Sequence, residues 1–207
     1  MANITTTQMT AEAFFVWANR PENADRFFEL EDGEVIEVPP PGEAHGLVCW
    51  FVISVLTDYV RLRGSGHLLT NDSGLIVRRK PDTVRGPDIM LFLENRSLEE
   101  ATRGHTERVP PLVVEVFSPT DRVGHLNRRI EQYHRRGIPL VWIVYPTERT
   151  IDICRPKQPP KTLDETDELT GNGVLPDFRC AVAQLFGLPG QADPTTSRPP
   201  KKPPRRR

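Results

Sequence analysis

Two runs, GPDIMLFL (86–93) and PPLVVEVFS (110–118), decide how this chain is read. Both are short and apolar and are bounded by Gly, Pro or Ser, the pattern of a buried strand. Each carries one carboxylate. Asp88 opens the first run, and Glu115 sits in the middle of the second. An ionised carboxylate inside a buried strand is costly unless a cation or hydrogen-bond donors meet it. Leu112, Val113, Val114, Val116 and Phe117 give Glu115 no such partner from its own segment. A divalent cation shared with Asp88 supplies one. Alternation puts Val113, Glu115 and Phe117 on one face of their strand.

Ser118-Pro119-Thr120-Asp121 follows as a helix start, with Ser118 as N-cap, Pro119 at the first position and Asp121 at the third. The helix is expected to run to Arg136 and stop at Gly137. Val123, Leu126, Ile130 and Tyr133 form its apolar stripe. Arg129 lies three residues after Leu126 and four before Tyr133, so it borders that stripe and can reach the end of the Glu115 strand. Leu140 to Tyr145 and Thr150 to Arg155 read as two further strands.

Upstream, Met9 to Asn19 reads as a helix with Thr10 as N-cap. RFFELEDGEVIEVPPP (26–41) reads as a hairpin around Asp32-Gly33, ended by its prolines. His45 to Arg63 reads as a long, mostly buried helix closed by Gly64 and Gly66, and Leu75 to Arg79 as a strand. Glu94 to Arg108 is charged and aperiodic, a helix or loop insert. VLPDFRCAVAQLF (174–186) is expected to close the core.

The 207 residues suffice for one domain with a real core, and 37% apolar and 27% charged residues describe a globular chain. No uninterrupted apolar stretch is long enough for a membrane span, and the N-terminus has neither a basic nor an apolar signal region, so no membrane association is expected. Cys49, Cys154 and Cys180 are too few and too dispersed for a disulfide framework or a zinc motif. They suit free thiols in a reducing compartment, and a cytoplasmic location is expected. The last ten residues hold six basic side chains and no acid; without them 21 basic residues face 28 acidic ones, a net of −7. A nucleic-acid partner therefore needs a locally basic surface on an acidic body. From Pro189 the chain is Pro-rich, basic and nearly free of apolar residues, the composition of a disordered tail.

FELEDGEVIEVPPPGEAHG (28–46), PDTVRGPDIMLF (81–92), PPLVVEVFSPTDR (110–122), EQYHRRGIPLVWIVYP (131–146) and VLPDFRCAVAQLF (174–186) together resemble the Uma-two restriction endonuclease family of the PD-(D/E)XK nuclease superfamily. The resemblance extends to Leu188, so residues 1–188 read as one restriction-endonuclease-like domain and 189–207 as the tail. It implies an α/β fold of mixed α+β type, a central mixed sheet flanked by helices. It implies metal-dependent DNA cleavage, with Mg²⁺ (or Mn²⁺) held by Asp88, Glu115 and the Val116 carbonyl. Glu34 and His45 also match the family pattern, Glu34 as a further ligand or water-orienting group. A homodimer is expected because duplex cutters commonly pair their sites.

The family's usual Lys, two residues after the Glu, is Phe117 here, and the equivalent position on the next helix is Arg129. A second departure is His125, where relatives carry an acid. Arg129 can stabilise a phosphorane-like charge but is a poor general base. Two alternatives therefore stay open. One is a catalytically inactive nucleic-acid- or protein-binding module on the same fold. The weaker is an unrelated hydrolase using the two acids as an acid/base pair.

Overall fold

The computed structural model describes residues 8–187, apart from residue 24, residues 71–72 and residues 119–122. The expected helix start at Pro119 and Asp121, and the tail from residue 189, lie outside the described residues. The two apolar runs become adjacent strands, β6 (Ile89–Phe92) and β7 (Leu112–Val116), paired antiparallel with Ile89 opposite Val114. From β7 the chain crosses through α3 (Val123–Arg136) to β8 (Leu140–Tyr145), which runs parallel to β7 with Glu115 opposite Ile143. β9 (Thr150–Cys154) and β10 (Lys161–Asp164) extend the sheet antiparallel on one side, and β3 (His67–Thr70) closes it beside β6. The order is β10-β9-β8-β7-β6-β3, a mixed six-stranded sheet.

Period-two alternation sorts the core into two layers. Ile89, Leu91, Leu112, Val114, Val116, Leu140, Trp142 and Val144 face α2 (Glu43–Arg63), which contributes Val48, Val52 and Leu56. Met90, Phe92, Val113, Val141 and Ile143 face α3, which contributes Leu126 and Tyr133. Phe117 packs on this second side and lies against Tyr145, as expected of a residue sharing Glu115's face. By length and composition alone α2 would also suffice to cross a membrane; here its buried residues pack on the sheet. A two-stranded ribbon, β11 (Glu168–Thr170) with β12 (Arg179–Ala181), and the 3-10 turn Val182–Leu185 cover the α2 side with Leu169, Leu175, Phe178, Val182 and Leu185. The segment 174–186 thus closes the core as expected.

A second, four-stranded sheet has the order β2-β1-β5-β4, from β1 (Phe27–Glu31), β2 (Glu34–Val38), β4 (Leu75–Arg78) and β5 (Thr83–Arg85). The hairpin turns at Asp32 and Gly33, both at positive φ, which the Asp-Gly pair accommodates. Leu30, Ile76 and Val84 pack on Ala11 and Phe14 of α1 (Ala11–Ala18), which starts at Thr10 with its side chain accepting from the Ala13 amide. Residues 94–108 form the loop alternative, without a helix, and Thr106 bridges to Leu75.

Asp82 ties this sheet to α1. It is 8% exposed, and its carboxylate accepts from the Ala11 amide at 2.8 Å, the Lys80 amide at 3.2 Å and Arg79 Nη1 at 2.7 Å. The Ala11 amide has no partner within its own helix, so Asp82 satisfies a donor that burial would otherwise orphan. Asp82→Ala is expected to lower unfolding free energy by about 2–3 kcal/mol in urea titrations. Burial raises the Asp82 pKa, but the two amides and Arg79 outweigh it and hold it below the ordinary 3.8. The contribution is therefore complete above pH 3.8 and is lost as pH falls below it. Asp82→Asn should remove that part of the acid sensitivity in melts followed from neutral to acid pH.

Candidate active site

The β6–β7 register carries one step outward to set Asp88, just before β6, beside Glu115, one residue from the end of β7. The two side chains have different partners, Asp88 on the α2 side and Glu115 on α3. Asp88 reaches the start of α2. Its Oδ1 lies 3.1 Å from His45 Nε2, and its Oδ2 accepts from the Val116 amide at 2.6 Å. The second bond fixes the Val116 peptide against the Asp88 carboxylate. His45 is the third residue of α2, so the cluster also meets the positive end of that helix. Burial works against a charged His45, but its hydrogen bonds to Asp88 and Cys49 win and push it up to about 10.

Glu115 faces α3. Its Oε1 accepts from Arg129 Nη2 at 3.0 Å and Nε at 3.3 Å, its Oε2 lies 3.2 Å from the same Nη2, and the Tyr133 hydroxyl donates to Oε1. Burial still dominates, with Arg129 opposing it and the Asp88 charge adding to it, and the Glu115 pKa rises to about 7. Burial, joined by the Glu115 charge, pushes Tyr133 well above its ordinary value, so its hydroxyl remains a donor. Burial acts against the charge of Arg129, and Glu115 overrides it, so the guanidinium stays charged.

Arg129 does not end at Glu115. Its Nη1 lies 3.0 Å from Glu29 Oε1 on β1, and its Nη2 donates to the Gly86 carbonyl at 3.2 Å. Glu29 in turn accepts from the Gly86 amide at 2.9 Å and Arg85 Nη1 at 2.7 Å, while Arg85 Nη2 reaches Glu31 at 2.9 Å. Arg128 joins the chain at Glu31 from the exposed side of α3. Alternating carboxylates and guanidinium groups thus run from the hairpin to the central sheet.

Four of the sequence-derived residues, Asp88, Glu115, Arg129 and His45, meet at this end of β6 and β7, with the Val116 peptide between them. Glu34 does not join them. It is exposed beside the hairpin turn, opposite Glu31, and the hairpin carboxylate that reaches Arg129 is Glu29. Sequence reading passes over Glu29, the Tyr133 hydroxyl and Cys49. Glu29 and Glu31 alternate with Phe28 and Leu30, the same period-two signal that singles out Glu115. Cys49 follows His45 at helical spacing of four.

The donor set suits a hard divalent cation. Two carboxylates and a peptide carbonyl offer only oxygen. Glu115 is raised by burial and by the neighbouring Asp88 charge, an electrostatic deficit that added positive charge relieves. Arg129→Met should lower unfolding free energy by about 3–5 kcal/mol, because it takes from buried Glu115 its guanidinium and leaves Glu29 with Arg85 alone. Adding Glu115→Gln should recover part of the loss. Urea titrations of the single and double variants in EDTA measure both effects.

Comparison with known proteins bears on the family and the fold. No curated protein matches the sequence. A crystal structure described as "a putative nuclease belonging to DUF820" from Anabaena variabilis has the same fold. It superimposes with a TM-score of 0.71 at 19% identity, over 86% of this chain and 97% of that one. Residues 11–183 match the model of the Uma2 family, described as "Putative restriction endonuclease". With most of its length matched, and with the mixed sheet and flanking helices in place, the chain belongs to the Uma2 family of restriction-endonuclease-like proteins.

Proposed function

We propose that this protein is a Mg²⁺-dependent DNA endonuclease, able to use Mn²⁺, that hydrolyses phosphodiester bonds at the Asp88–Glu115 end of the central sheet. The observation that carries the reading is the pairing of those two acids on neighbouring strands with a buried arginine on Glu115. Asp88, Glu115 and the Val116 carbonyl would hold the metal, which when bound polarises the scissile phosphate and lowers the pKa of a water. The chain's own residues do the remaining work. The Val116 amide and His45 orient Asp88. Tyr133 orients Glu115. Arg129 presents a fixed positive charge to the non-bridging oxygens, where negative charge develops in the transition state. It accepts no proton, so the attacking water must lose its proton elsewhere, and turnover is slow. A homodimer, which brings two such sites to a duplex, and a cytoplasmic setting belong to the same proposal.

One observation favours the alternative, a catalytically inactive nucleic-acid- or protein-binding module. Both Glu115 oxygens already engage Arg129, and Tyr133 takes a further bond on one of them. A cation must compete with these donors for Glu115.

Nicking of supercoiled plasmid separates the two readings. Cleavage is expected with Mg²⁺ or Mn²⁺, none in EDTA, and at least about a hundredfold less with Asp88→Asn or Glu115→Gln. Arg129→Lys should raise the rate by restoring an amine able to accept a proton. Plasmid binding without cleavage under any of these metals would support the binding module. Cleavage that persists in EDTA would sink both the metal and the site.

A further inference from the structure

Asp88 has a second neighbourhood, on the side away from Glu115. His45 and Cys49 lie one turn apart near the start of α2 and therefore share a face. The His45 ring stands between Cys49 and Asp88, with Nδ1 3.5 Å from Cys49 Sγ and Nε2 3.1 Å from Asp88 Oδ1. One ligand atom from each of the three residues lies within 4.8 Å of the other two. All three side chains are partly buried, so they are held by packing while one side stays open to solvent. A four-coordinate ion with bonds of about 2.0–2.3 Å sets its ligand atoms roughly 3.3–3.7 Å apart. A turn of the imidazole and a small contraction bring this trio to that spacing.

The chemistry of the three donors differs from that of the oxygen-only set around Glu115. A thiolate and an imidazole select borderline and soft ions, whereas Mg²⁺ prefers oxygen and keeps its waters. We propose that His45, Cys49 and Asp88 form a site for a zinc-class transition-metal cation, distinct from the hard-cation site at Asp88 and Glu115 and competing with it for Asp88. Three protein ligands leave a fourth position for water. On binding, the Cys49 S–H bond and one N–H bond of the charged His45 ring break, both protons pass to solvent, and the sulfur–metal and nitrogen–metal bonds form. An ion in this position draws Asp88 Oδ1 toward α2, so zinc should act as a brake on whatever Mg²⁺ supports at Glu115. Only that last consequence rests on the endonuclease reading.

Co²⁺ titration of the full chain tests the site without reference to activity. One equivalent of Co²⁺ should give a near-ultraviolet thiolate-to-cobalt charge-transfer band and the intense visible bands of four-coordinate Co²⁺. A stoichiometric amount of Zn²⁺ should abolish both, and a large excess of Mg²⁺ should leave them in place. Cys49→Ser and Cys49→Ala should each lose the charge-transfer band while keeping the circular-dichroism spectrum and melting temperature of the parent. Absence of the band from the parent protein, or its survival in both Cys49 variants, overturns the proposal and leaves His45 and Cys49 as packing partners of Asp88. In plasmid nicking, Zn²⁺ should inhibit the Mg²⁺-supported reaction, and Cys49→Ser should weaken that inhibition at least tenfold. A band that depends on Cys49, in a protein that nicks nothing, would sustain the zinc-class site and overturn the endonuclease reading alone.

Discussion

The guanidinium of Arg129 stands between two buried carboxylates that belong to different sheets. Glu115 lies on the central sheet and Glu29 on the hairpin of the smaller one. Neither acid would be tolerable there unpaired, since removing one partner of a buried pair strands the other charge at a loss of several kcal/mol. The arginine thereby makes the two sheets one structure at this end. A third contact, to the Gly86 carbonyl, holds the segment that delivers Asp88. The positions of Asp88 and Glu115 therefore depend on a residue that supplies neither carboxylate. Burial nevertheless outweighs Arg129 at Glu115, whose carboxyl is pushed up to about 7. The site remains short of positive charge even with the arginine in place.

A lysine at position 129 could not play this part. An ammonium is a compact point charge, whereas the planar fork of arginine reaches several acceptors at once. Here Nε, Nη1 and Nη2 are each committed, to Glu115, Glu29 and Gly86. Arg129 thus fastens the hairpin and, unlike a lysine, gives up no proton at ordinary pH. Structural cohesion and proton transfer make opposite demands on position 129.

Much of this arrangement is legible in the sequence, because long apolar runs with one misplaced charge leave few alternatives. The strands carrying Asp88 and Glu115, helices α2 and α3, and the hairpin at Asp32-Gly33 all follow from periodicity and turn chemistry. β3, β5, β10 and β11 are harder to see. Each has only three or four residues, such as Thr83–Arg85 between two prolines, too few for alternation to show. Arg129 is legible as a neighbour of Glu115 because helix phase is local. Its second partner, Glu29, is not, because no local rule tells which hairpin carboxylate will meet a helix 100 residues away; family pattern points to Glu34, and the register of β1 against β5 at Leu30 and Val84 settles on Glu29. Tyr133 is legible as part of its apolar stripe, but periodicity says nothing of where a hydroxyl ends.

The long sequence span of the charge chain also bears on how the protein is made. Glu29, Asp88, Glu115 and Arg129 come from four separate stretches, and β8, laid down after all of them, holds β7 in register. Bringing ends so far apart together is entropically unfavourable until the intervening sheet has formed. The hairpin can fold early, since its pairing is local, and β5 then brings Arg85 to its glutamate, but the second guanidinium, Arg129, arrives only when α3 docks. An incomplete chain on the ribosome therefore carries these acids as separate solvated charges, and the cluster assembles only when the last central strand arrives.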